Sequence, residues 1–200
     1  MIPWERVGDT VMTKLDRREA TVLRGLITQI DGMLRSRQDE APRDELAELT
    51  GIRTGPSAAP EDPILARLLP DYHRLDSADT DEFGEPTREE RDSAAALRSL
   101  HEPELLDLKT GVAGVVLDTC PPGGGTVKLS LEQADAWLSA VNDVRLALGT
   151  TLDVTEDMPD ELPEDDPRSP HLGVYQWLTW MQEHLVLALS PDSFDPADDE

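Results

Sequence analysis

The clearest pattern of apolar and polar positions is a unit that occurs twice. Near the N-terminus, Val11-Met12-Thr13-Lys14-Leu15 ends in Asp16, with Glu19 three places on. Later, Val127-Lys128-Leu129 ends in Ser130, with Gln133 three places on. A short alternating run suits a strand, and a polar cap followed three residues later by an acid or amide is a capping box that starts a helix. The pattern therefore predicts strands at 11–15 and 127–130, each feeding a helix. Neither strand is stable alone and no third strong strand appears, so the two are expected to pair.

Further helices follow from the same reasoning. Ala20, Leu23, Ile27, Ile30 and Leu34 recur at helical spacing, widened by Leu26 and Met33, so the first helix runs from Asp16 to about Arg37. The helix capped by Ser130 is expected to close at Gly149. Thr87 with Glu90 forms a third capping box. The helix from Arg88 reaches about Leu100, Pro103 interrupts it, and a second segment, 104–119, ends at Cys120-Pro121-Pro122-Gly123-Gly124-Gly125. Asp62-Pro63 opens a short helix over 64–69, with another short one at 44–49. The last helix runs from about His171 to Leu189. The fold class is mainly α: a single helical-bundle domain over 1–190 with a short two-stranded β ribbon (11–15 and 127–130). Acidic loop insertions lie near 38–86 and 150–169, and 191–200 reads as a disordered acidic tail.

Charge narrows the partners. The net charge is −24, and it is uneven: residues 1–43 are near neutral, while 44–150 and 151–200 are strongly acidic. Such a field repels nucleic acid and anionic membrane and favours a basic protein partner. No apolar run approaches the length of a membrane span, and the first ten residues lack a signal-like apolar core, so the expected location is cytoplasmic.

Candidate chemistry is sparse. Asp79, Asp81, Gly84 and Glu90 mimic part of a calcium loop, but Phe83 replaces an oxygen ligand and Pro86 breaks the loop, so an acidic linker is expected. Gly123-Gly124-Gly125 follows a helix and precedes a strand, with no phosphate-loop lysine, and reads as a flexible connector. The four histidines are widely spaced and no nucleophile–base motif occurs, so no metal, no cofactor and no enzymatic activity is expected. Arg17, Arg24 and Arg35 fall on one stripe of the first helix and are the DNA-contact candidates, for weak or partner-assisted contact. Tyr175, Trp177 and Trp180 make the last helix more apolar than one face needs, either as core or as a partner face, a homodimer included. Cys120, the one cysteine, excludes an intramolecular disulfide and is the redox candidate. Its place at a helix C-terminus beside Asp118 keeps its thiol from becoming acidic.

Asn142-Asp143-Val144-Arg145-Leu146-Ala147-Leu148-Gly149, the glycine-rich loop before that helix, and Tyr175-Gln176-Trp177-Leu178-Thr179-Trp180 together resemble one family. It is the actinobacterial family of unknown function that includes the oxidation-sensing transcriptional regulator AosR. The resemblance covers nearly the whole chain, most weakly at 38–86 and 151–170. It implies a transcriptional regulator of oxidative-stress genes that acts with a protein partner, a sigma factor or RNA polymerase. It also implies sensing through paired cysteines, which a chain with Cys120 alone does not possess. The alternative is a non-enzymatic interaction adaptor without redox sensing or direct DNA binding.

Overall fold

A computed structural model describes residues 2–41, 53–71, 87–155, 157–159, 161–163 and 165–190. The predicted helix at 44–49, the calcium-like segment up to Pro86 and the tail from 191 lie outside the described residues. The elements are β1 (Glu5–Val7), β2 (Thr10–Leu15), α1 (Arg17–Asp39), α2 (Pro63–Leu68), α3 (Arg88–Thr119), β3 (Gly125–Ser130), α4 (Leu131–Leu152) and α5 (Ser169–Leu189). The fold is mainly α with one small antiparallel sheet. The chain falls into two compact units, one of Met1–Asp31 with Gly111–Glu200 and one of Gly32–Thr110.

In the first unit the two predicted strands pair antiparallel, Val11 opposite Leu129 and Thr13 opposite Val127. Val11, Leu15, Val127 and Leu129 are buried on one face, as their alternation requires. The ribbon gains a third strand that the sequence reading passed over: β1 pairs with the other edge of β2. Its signal was the turn rather than the strand. Gly8-Asp9 is a two-residue hairpin loop, and Gly8 has φ +59°, a conformation that favours glycine. β1 itself is three exposed residues with no apolar alternation.

β2 and β3 run straight into helices through the expected caps. The Asp16 side chain accepts from the Glu19 amide at 2.8 Å, and Glu19 accepts from the Asp16 amide at 2.7 Å. Ser130 and Gln133 make the same reciprocal pair. Each box satisfies amides that a helix start otherwise leaves bare. The connector ahead of β3 is more constrained than a flexible link. Gly124 has φ +76°, and a Cβ there would come within 2.6 Å of the Asp16 backbone. The glycine turn thus closes over the start of α1.

The core of this unit joins Ala20, Leu23 and Ile27 of α1, Trp137, Val141 and Val144 of α4, and Leu178, Met181 and Leu185 of α5. Trp4 and Trp137 meet edge to face at 5.4 Å, and the Trp137 indole N–H donates to Thr119 Oγ1 at 2.7 Å. α4 does not close at Gly149. It continues to Leu152 and ends at Asp153, which takes the left-handed cap conformation while its own amide and that of Val154 reach back to Gly149 and Thr150 carbonyls. Gly149 instead faces Tyr175, whose ring would lie 3.5 Å from an added Cβ.

The second unit holds the end of α1, α2 and the first part of α3. Asp62 caps α2 by accepting from the Ile64 and Leu65 amides. Thr87 and Glu90 cap α3 reciprocally. α3 runs unbroken through Pro103, contrary to the expected interruption. Proline removes the amide that would bond to the Ser99 carbonyl. Here the Gly55 amide replaces it at 2.7 Å, and the Ser99 hydroxyl donates to the Gly55 carbonyl at 3.0 Å. A Cβ on Gly55 would lie 3.0 Å from the Pro103 ring, so the strand of chain that repairs the helix passes flush against it.

Candidate functional site

The redox candidate sits at the end of α3. Cys120 is 1% exposed. Burial pushes its thiol above the ordinary value, and the nearby Arg24 guanidinium acts weakly the other way. The Arg24 side chain reaches across from α1 and donates to the carbonyls of Leu117 and Cys120, the latter at 2.6 Å. It satisfies the bare carbonyls of a helix C-terminus with a cation, where the helix dipole favours positive charge. Asp118 is exposed. The thiol is therefore shielded, protonated at neutral pH and poorly placed to attack an oxidant.

This geometry also relocates one member of the arginine stripe. Arg17 is exposed near the start of α1, whereas Arg24 is half-buried and engaged with α3. Arg35 is exposed and belongs to the other compact unit. Arg24 is thus spent on the end of α3 rather than presented on an open stripe.

The aromatic candidates all lie on α5 and are half-buried. The Arg145 guanidinium stands 5.5 Å from the centre of the Tyr175 ring and also donates to Thr179 Oγ1 at 3.1 Å and to Gln182. Tyr175 is thereby tied to α4. Trp180 and His184 stack at 4.0 Å, and Trp177 lines a cleft of about 300 Å³ with Arg18, Val22, Pro170, Gly173 and Val174.

The sequence reading missed a buried ion network in the second unit. Glu102, fully buried, accepts from Arg37 Nε at 2.7 Å and from Arg98 Nη1 at 2.6 Å. Arg37 also pairs with Glu40 and donates to the Ala58 carbonyl, while Arg98 pairs with Asp71 and donates to the Leu69 carbonyl. Burial pulls both guanidinium pKa values down, but the carboxylates around them more than compensate and both stand above the usual value. The spacing of Arg98 and Glu102, one turn apart, was the available signal. This network holds loop segments to helices and carries no reactive group. No cluster of three or more His, Cys, Asp or Glu suited to a metal occurs among the described residues. No helix there is long and apolar enough to cross a membrane.

Comparison with known proteins places the chain. The oxidative stress regulator AosR of Mycobacterium tuberculosis (strain H37Rv) is 45% identical over 192 residues, covering 93% of this chain and 87% of its own length. The same figures hold for the oxidative stress regulator AosR of Mycobacterium bovis. A putative oxidative stress regulator AosR of Mycobacterium leprae is 44% identical over 191 residues, covering 93% of this chain and 87% of its own. No solved structure matches. The family described as a domain of unknown function, DUF2017, matches residues 1–189, and the chain belongs to it.

Proposed function

We propose that this protein is a regulator of the oxidative-stress response that acts through a protein partner, a sigma factor or RNA polymerase, rather than as an enzyme. The observation that carries the reading is the 45% identity, over nearly the full length, to proteins named oxidative stress regulators. The net charge of −24 supports a protein partner over unaided DNA, because the field opposes phosphate. DNA contact from Arg17 and Arg35 is then secondary and partner-assisted. The reading places the protein in the cytoplasm.

A second reading is favoured by the environment of Cys120. The thiol is buried and shielded by Arg24, so the protein works as an interaction adaptor with no thiol switch of its own. One experiment separates the two. Tagged protein is recovered from cells with and without peroxide, and the co-purifying proteins are identified. Recovery of a sigma factor that changes with peroxide supports the regulator. Recovery that is indifferent to peroxide and to Cys120→Ala supports the adaptor. Absence of sigma factor and polymerase subunits in both conditions overturns the transcriptional reading.

A further inference from the structure

The two segments that carry the family resemblance meet along one groove between α4 and α5. Gly149 lies against the Tyr175 ring, Arg145 bonds to Thr179, and Asn142 bonds to Gln182. These pairs keep one antiparallel register, and its next step sets Leu138 across from Val186. All of them are partly open to solvent, Val186 most at 46%. Arg145 stands in the middle. Arg37 and Arg98 are held by carboxylates, and Arg24 by the carbonyls of a helix end. Arg145 is half-buried and held by neutral groups only: Nε donates to Thr179 Oγ1 at 3.1 Å, Nη1 donates to Gln182, and the Tyr175 ring flanks the guanidinium. Gln182 donates in turn to Asn142 at 3.3 Å, so the groups that hold the arginine are themselves held. Among the described residues no carboxylate pairs with Arg145, and Nη2 has no acceptor. A partly desolvated cation with a fixed side chain and free donors is preorganised for a planar anion.

We infer that this groove docks an amphipathic helix of a protein partner, whose single carboxylate pairs with Arg145. The unanswered guanidinium calls for a carboxylate or a phosphate. The net charge of −24 decides between them. A nucleic acid brings a run of negative charge into that field, whereas one carboxylate on an otherwise neutral or basic helix does not. Asp135 and Glu183, both exposed, flank the groove and favour basic residues on either side of that carboxylate. A straight channel between two helices suits a third helix. Its apolar end, Leu138 with Val186, lies about 10 Å along α4 from Arg145, so the docked helix carries an apolar residue two turns from its acid. The inference rests on the reading above only in taking the partner to be a protein.

The probe is a labelled four-turn helical peptide built on alanine, with glutamate at its centre, leucine two turns away and lysines on its outer face. Its binding to the full chain is read by fluorescence anisotropy. Saturable binding is expected, and replacing the peptide's glutamate by glutamine weakens it about tenfold. The glutamine peptide is the more positive of the two, so nonspecific attraction to an acidic chain would favour it instead. Arg145→Gln removes the difference between the peptides, and Val186→Glu abolishes binding with an unchanged circular dichroism spectrum. If Arg145→Gln fails to fold, the two peptides on the parent protein decide alone. Equal affinity for both peptides, or no saturable binding, overturns the inference. Acetate or duplex DNA bound as tightly as the peptide overturns the helix as the occupant. None of these outcomes depends on whether a sigma factor co-purifies, so the two readings fail separately.

Discussion

At Cys120 the chemistry of one buried atom becomes a property of the whole fold. The folded state raises its thiol pKa above the ordinary value of 9.0, so it holds the proton more tightly than the unfolded chain does. That difference contributes stability in full below the unfolded pKa, and the contribution is lost as pH rises through the folded pKa. Cys120→Ala is therefore expected to flatten the fall in stability above pH 9.0 relative to the parent. Urea midpoints measured for both proteins at neutral and alkaline pH check this, since the other alkaline-titrating groups are common to the pair. The residue also marks how far sequence reaches. A thiol at a helix end before Pro121-Pro122 was legible as one kept from becoming acidic. That Arg24 bonds its carbonyl was not, because the two residues stand 96 positions apart and meet only through packing. The same holds for Glu102, whose turn-spaced partner Arg98 is visible in the sequence while Arg37 is not.

Helices obeyed their start signals more closely than their stop signals. Asp16, Asp62, Thr87 and Ser130 all cap where the sequence places them, because an N-cap is a local bond between residues two or three apart, reciprocal at Asp16, Thr87 and Ser130. Pro103 failed as a terminator because a tertiary partner absorbs its defect, and Gly149 because the helix takes its left-handed cap four residues later, at Asp153. At Pro103 the partner is the Gly55 amide. Pro103→Ala restores a helical donor to the Ser99 carbonyl, so the Gly55 amide is expected to exchange its hydrogen faster while α3 stays intact. Gly55→Val drives a side chain into the Pro103 ring and is expected to destabilise by about 1–3 kcal/mol. Hydrogen exchange and urea titration of the two variants check both outcomes. An unchanged Gly55 amide in Pro103→Ala would show that this bond does not answer to the proline.

Across the whole molecule, charge sets the encounter with other macromolecules. With a net charge of −24, the purified protein is expected to bind generic duplex DNA only weakly at physiological salt, as fluorescence anisotropy would register. Tight binding that survives Arg17→Ala and Arg35→Ala together would contradict the electrostatic argument. The pairing of β2 with β3 has a further consequence, which lies in time. Val11 is made early, yet its strand partner Leu129 emerges only after the entire Gly32–Thr110 unit has been synthesised. Closing so long a loop is entropically slow, whereas the intervening unit can gather its own core first. On the ribosome, the apolar side of the first-made strand thus waits uncovered until the glycine turn at 123–125 arrives. Nascent chains halted within that interval are the stage of this protein's life most in need of a chaperone.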